Sequence, residues 1–74
     1  MKELRIKRLQ KEVQERVLIN DGNLKKSFQD VLDHLYKEHE LYYDNDRIVQ
    51  AMDAMRDINT LKEMIVEYNT QQNN

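Results

Sequence analysis

The chain reads as all-α: a small three-helix bundle, or a helical hairpin in which the second and third segments join into one long helix. Three observations predict this. Proline is absent and Gly22 is the sole glycine in 74 residues, so almost nothing in the chain breaks a helix. Charged residues make up 35% of the sequence, and the apolar ones recur three and four apart, the spacing of packed helices with solvated outer faces. There is no cysteine, so neither a disulfide nor a thiolate zinc site can stand in for a core. A chain this short must pack efficiently or share apolar surface with a second copy.

The first segment, about residues 2–20, sets Ile6, Leu9, Val13 and Val17 on one narrow stripe. It stops at the stretch NDGN, residues 20–23. Gly22 can take the left-handed conformation that closes a helix, and Asn23 can cap the next one by accepting its free N–H groups. The second segment, about 23–43, carries the strongest periodic signal: Leu24, Phe28, Val31, Leu35 and Tyr42, flanked by Leu32, Tyr36, His39 and Tyr43. Leu35, Tyr42 and Tyr36 fall on the core side. Asp44, Asn45 and Asp46 favour a turn because their side chains compete for the backbone.

The third segment runs from about 46 to 69. Its apolar residues (Ile48, Met52, Met55, Ile58, Leu61, Ile65 and Tyr68, with Ala51, Ala54, Met64 and Val66) cover most of the circumference. That predicts burial on more than one side, and hence a homodimer formed through Ile48, Met52, Met55, Ile58, Leu61 and Ile65. A capping-box pattern at residues 60–63 allows a break near Asn59, but one continuous helix is the simpler reading. Residues 1–69 then form one domain, and the polar residues 70–74 a frayed tail. Helices of about 19, 21 and 23 residues each span on the order of 30 Å, which suits an up-down-up bundle.

Charge is unevenly spread. Residues 1–20 hold six bases and three acids, a net of +3; residues 21–74 hold six bases and eleven acids, a net of −5. A basic first helix would be drawn to an acidic second one. The chain as a whole is acidic, and Glu3, Glu12 and Glu15 interrupt the bases of the first segment. The concentrated positive patch that phosphate binding needs is therefore missing, which argues against a nucleic-acid partner. No apolar run approaches the roughly 18 residues of a membrane span. The opening residues lack the apolar core of a secretory signal. A cytoplasmic protein is expected.

Several residue sets carry chemical possibilities. Asp30, His34 and Glu38 lie four apart on one side of the second helix, a spacing compatible with a divalent metal. It is equally the spacing of ordinary surface pairs, and no second ligand cluster supports it. His39 projects toward the apolar flank with no nucleophile in the pattern to serve. Glu12 and Glu15 form an ExxE pair, followed by Asp30 on the next helix. This resembles the helical nucleoside-triphosphate pyrophosphohydrolases of the MazG type, which hold magnesium with ExxE on one helix and ExxD on the next. The resemblance covers about residues 9–35 and implies a carboxylate three positions before Asp30. Ser27 stands there, so the set needed to grip a hard cation is incomplete. No metal, cofactor or catalytic activity is expected.

Residues 30–46 remain. They hold six acids against Lys37, with both histidines and three of the four tyrosines. Tyrosine suits a boundary, its ring packed and its hydroxyl wet. Leu41 stands apart from the main stripe. Asp33, Tyr36, Glu38, Glu40, Leu41 and Tyr43 make the expected site for a protein partner with a basic surface. The function this supports is a non-enzymatic interaction module of adaptor, inhibitor or regulator type, of the small helical kind common in bacteriophage and mobile elements. A self-assembling structural protein is the alternative, and a degenerate nucleotide-binding enzyme a remote one.

Overall fold

The computed structural model of the chain describes residues 2–72. Three helices follow one another: α1 (Lys2–Ile19), α2 (Leu24–Asp44) and α3 (Ile48–Gln72). They pack around one apolar core of Leu9 and Val13 from α1, Phe28, Val31 and Leu35 from α2, and Ile58 and Leu61 from α3. Val17, Leu24, Leu32, Met64, Ile65 and Tyr68 close its edges. The three- and four-residue spacings that define each stripe in the sequence are the ones the core uses. Among the described residues no helix is long and apolar enough to cross a membrane.

Both turns follow one plan. At the first, Asp21 (φ 54°) and Gly22 (φ 84°) are left-handed, and the Gly22 N–H reaches back to the Val17 carbonyl at 2.9 Å. At the second, Asp46 is left-handed (φ 59°). The Arg47 N–H donates to the Tyr42 carbonyl at 2.8 Å, and the Asp46 N–H to Tyr43 at 3.1 Å. This pair of nested bonds satisfies carbonyls that a helix end otherwise leaves free. Asn23 then caps α2, its side chain accepting from the Lys26 N–H at 3.0 Å. Asp44 is the last residue of α2 and Asn45 and Asp46 make the turn, so the merged long helix is excluded. Asp46 is the reversal point itself and not the start of α3, which begins at Ile48. Nothing between Thr70 and Gln72 breaks a helix, so α3 continues through them where the sequence reading places the onset of a frayed tail. Residues 73 and 74 lie outside the described residues.

Two expectations about packing are corrected. The first helix does not find its ionic partners on α2. Lys2 pairs with Glu63 at 2.9 Å, Arg5 with Asp53 at 3.0 Å and with Asp57, and Arg8 with Asp57 at 2.7 Å, all on α3. At its other end α1 reaches α2, where the Asn20 amide donates to Asp30 at 2.9 Å and to Ser27 Oγ at 3.1 Å. So α1 finds its ionic partners on α3 and is tied to α2 by hydrogen bonds from its C-terminal end. The second correction is Tyr36, which the periodicity assigns to the core side and which is exposed. It stands one residue past Leu35, a rotation of about 100° off the core stripe.

Candidate functional site

Closing the core leaves α3 with three distinct sides. Toward α2 it buries Ala51, Ala54, Ile58 and Leu61. Toward α1 it turns Asp53 and Asp57, the partners of Arg5 and Arg8. On the third side Ile48, Met52, Met55 and Val66 remain exposed, with Lys62 in the same line. Steps of four, three, seven and four residues place these five on one helix face. On α2, Tyr36 and Tyr43 are seven apart and exposed, with half-buried His39 between them. The His39 and Tyr43 rings stack at 6.3 Å between centroids.

Two cross-helix contacts join these lines. The Lys62 ammonium sits 5.4 Å from the centre of the Tyr36 ring, a cation–π contact. The Phe28 and Tyr68 rings meet at 5.6 Å. Together they set an antiparallel register in which the Tyr43 end of α2 lies level with Met52 and Met55. Tyr36, Tyr43, Ile48, Met52 and Met55 therefore share one continuous face of the hairpin, on the side away from α1. Asp33 and Glu40 each stand three residues before a tyrosine and so flank it on the helix surface. Asp33 is held by the Gln29 amide at 2.9 Å.

This geometry divides both residue sets predicted from the sequence. Of the partner set, Tyr36, Tyr43, Asp33 and Glu40 belong to the exposed face or its rim. Glu38 and Leu41 do not. Glu38 pairs with His34 at 2.5 Å and lines a groove with Arg8 and Glu12 of α1. Leu41 follows three residues after Glu38 and seven after His34, which places it on that same side. Of the self-association set, Ile48, Met52 and Met55 are exposed. Ile58 and Leu61 have no exposed surface at all, and Ile65 packs against the core. These three are spent on the bundle and offer nothing to a second copy unless it opens. The broad apolar girth of α3 is thus an inner stripe beside an outer one.

The sequence reading missed the polar cluster between α1 and α3. Asp57 is 5% exposed and takes hydrogen bonds on Oδ1 from both Arg5 and Arg8. Arg5 also donates to Asp53 Oδ1 at 3.0 Å and to the Asp53 carbonyl oxygen at 3.3 Å. The hydrogen bond from Arg5 holds the Asp53 carboxyl below its usual range, against partial desolvation. The same bond raises Arg5, and the bond to Asp57 raises Arg8. One signal was present in the sequence: Asp57 stands three after Ala54 and four before Leu61, in register with buried positions.

The metal possibilities find no support in the geometry. The Asp30 carboxylate is turned to Asn20, and His34 is engaged by Glu38. Ser27, the residue that departs from the ExxD pattern, is fully buried. Its hydroxyl donates to the Asn23 carbonyl at 2.7 Å and receives the Asn20 amide, so it knits the first turn together. Among the described residues no group of three or more His, Cys, Asp or Glu side chains is placed to hold a metal. Comparison with protein-family models, curated proteins and solved structures finds no match for this chain.

Proposed function

We propose that the chain is a non-enzymatic protein-interaction module, an adaptor, inhibitor or regulator, that captures its partner through the hairpin face of Tyr36, Tyr43, Ile48, Met52 and Met55. The observation that carries this reading is the exposure of that face after the core has closed: Tyr43 is 62% and Met52 53% exposed. A contiguous exposed apolar surface costs solubility and marks interaction sites. Tyrosine and methionine are the residue types enriched there, the one for rigid amphipathic contact, the other for adaptable fit.

The test is capture from lysate of the cells that make the protein, comparing the native chain with the double variant Tyr43→Ser and Met52→Ser. Leu18→Ser, an exposed position on α1, is the control off the face. With circular dichroism unchanged in all three, the face variant loses the captured species and the control keeps it. Equal capture by the face variant would sink the reading. A second reading uses the same face for self-association, and the row Ile48, Met52, Met55 on α3 favours it. Sedimentation decides: a mass above 9.0 kDa that returns to monomer in the face variant supports it.

A further inference from the structure

We infer that Met52 is a sulfoxidation site: its thioether takes an oxygen atom from a hydroperoxide, and the outer side of α3 turns polar while the core stays closed. The reaction needs only the exposure of this side chain. Its effect on docking rests on the interaction reading above.

Met52, Met55 and Met64 all lie on α3. They are the same thioether on the same unbranched stem in one helix, so access alone separates them. Met52 is 53% and Met55 36% exposed, whereas Met64 packs against the core cluster. There is no cysteine in the chain, so no thiolate competes for the oxidant. In the reaction a sulfur lone pair attacks one oxygen of hydrogen peroxide. The O–O bond breaks, an S–O bond forms, and the second oxygen leaves as water. Sulfur gives up two electrons and the peroxide takes them, so no further reductant or oxidant is required. At Met52 the peroxide reaches the sulfur from open solvent. At Met64 it must first part the edge of the bundle. The order of reaction is therefore Met52, Met55, Met64.

Position sets the consequence. A sulfoxide is polar and accepts hydrogen bonds, where the thioether was a flexible apolar filler. At the edge of the core, Met64 would have to bring that oxygen in among carbon. At Met52 water solvates it, and the buried cluster that holds the bundle does not include this residue. Met52 stands between Ile48 and Met55 on the exposed line of α3, four residues after the one and three before the other. The oxygen thus enters the middle of that row. Isoleucine and tyrosine, the other apolar residues of the face, have no lone pair on sulfur to donate. Met52 is the element through which an oxidant can change the face without unfolding the protein.

The test treats the full chain with hydrogen peroxide and follows oxygen uptake at each methionine by peptide mapping and mass spectrometry. Circular dichroism and retention on a hydrophobic-interaction column are measured alongside. Met1 lies outside the described residues, and its peptide is read apart. In the folded chain Met52 is expected to oxidise about tenfold faster than Met64, with Met55 between them. In urea the three rates should converge, because the unfolded chain exposes them alike. Retention should shorten as Met52 gains oxygen while the helical signal holds. In Met52→Leu the first oxygen should appear at Met55. Met64 oxidising as fast as Met52 in the folded chain would overturn the assignment, and so would a helical signal that falls as Met52 reacts. Protection of Met52 together with a mass above the monomer also overturns it, but leaves the interaction reading standing, since a second copy then covers the face. Fast oxidation of Met52 with unchanged retention overturns the change of polarity, and removes from the interaction reading the apolar surface it depends on.

Discussion

Where α3 meets α2 the contact is carbon on carbon: Phe28, Val31 and Leu35 face Ile58 and Leu61, and the Phe28 ring leans on Tyr68. Where α3 meets α1, Leu9 and Val13 provide the carbon, and the rest is charge gathered on one buried carboxylate, Asp57, with Asp53 beside it. The difference teaches how labour is divided. Apolar burial has no direction and drives the hairpin together. A buried ion pair recovers little net energy once desolvation is counted, but it penalises every arrangement that leaves one partner alone. The α2 seam thus supplies stability. The α1 seam tells α1 where to lie.

The strongest way to break this contrast is Ile58→Ala. Ile58 has no exposed surface and belongs to the cluster that all three helices share. Truncation removes transfer energy and leaves a cavity, for an expected loss of about 2–5 kcal/mol. Urea unfolding should show the midpoint falling in one cooperative step. A loss confined to α1, with the hairpin intact, would mean that the two seams are separate units.

Arg5→Met comes next. The stem that packs against α3 is largely kept while both hydrogen-bond partners are lost. Asp57 keeps Arg8, so the buried charge is not abandoned, and a cost of about 1–3 kcal/mol is expected. The seam predicts where it falls. Amide exchange should speed up along α1 and stay unchanged in the α2 and α3 amides that face each other. Uniform acceleration in all three helices would contradict the assignment of roles.

How much of this was legible beforehand follows from what periodicity encodes. Spacing reports which residues of a helix share a side. It therefore yields the three segments, the first turn and the Asn23 cap, since these depend on residues within five positions of one another, and it leaves residues 44–46 open between a turn and one long helix. It does not report which neighbour each side meets. The apolar girth of α3 could not be divided into an inner stripe (Ile58, Leu61) and an outer one (Ile48, Met52, Met55) without knowing where α2 lies. Leu41 and Tyr43, two apart in sequence and equally exposed, look like one patch until the helix turns them about 200° apart. Asp57 is the extreme case. Its partners are 52 and 49 residues away, and a lone aspartate among arginine, isoleucine and asparagine reads as solvated surface. Ser27 misleads in the other direction, looking like a lost metal ligand when it is a buried link in the first turn.

Acid offers a gentler separation of the seams. The carboxyl of Asp53 titrates below its ordinary value of 3.8 in the folded state because Arg5 hydrogen-bonds its charged form. The unfolded chain therefore takes up that proton first as pH falls. The contribution of this pair is complete above the ordinary carboxylate range and is lost as pH drops through the lowered value. Lowering the pH from 5 toward 3 should loosen α1 more than the hairpin. In Arg5→Met this acid sensitivity shrinks, because the cause of the shift is gone. An equal pH profile for the native and Arg5→Met chains would show that Asp53 does not depend on this arginine.

The smallest expected effect is at the open end of the same seam. Lys2 and Glu63 approach to 2.9 Å, as close as many strong pairs, but their side chains are 65% and 63% exposed. Water screens the pair, and holding two long side chains together costs rotamer freedom, so exposed pairs of this kind contribute about 0–1 kcal/mol. The distance alone would rank Lys2 beside Arg8, whose bond to Asp57 is 2.7 Å long. Burial of the acid separates them: the Asp57 side chain is 7% exposed, so its charge has little water to fall back on. Lys2→Met should therefore leave the unfolding midpoint almost unmoved, and what small change there is should vanish in high salt. Arg8→Met, at a comparable distance, should cost measurably more and keep most of that cost in salt. If the two substitutions proved equal, proximity and not burial would be setting the strength of this seam, and the picture of a ladder of pairs that strengthens from the open end toward Asp57 would be wrong.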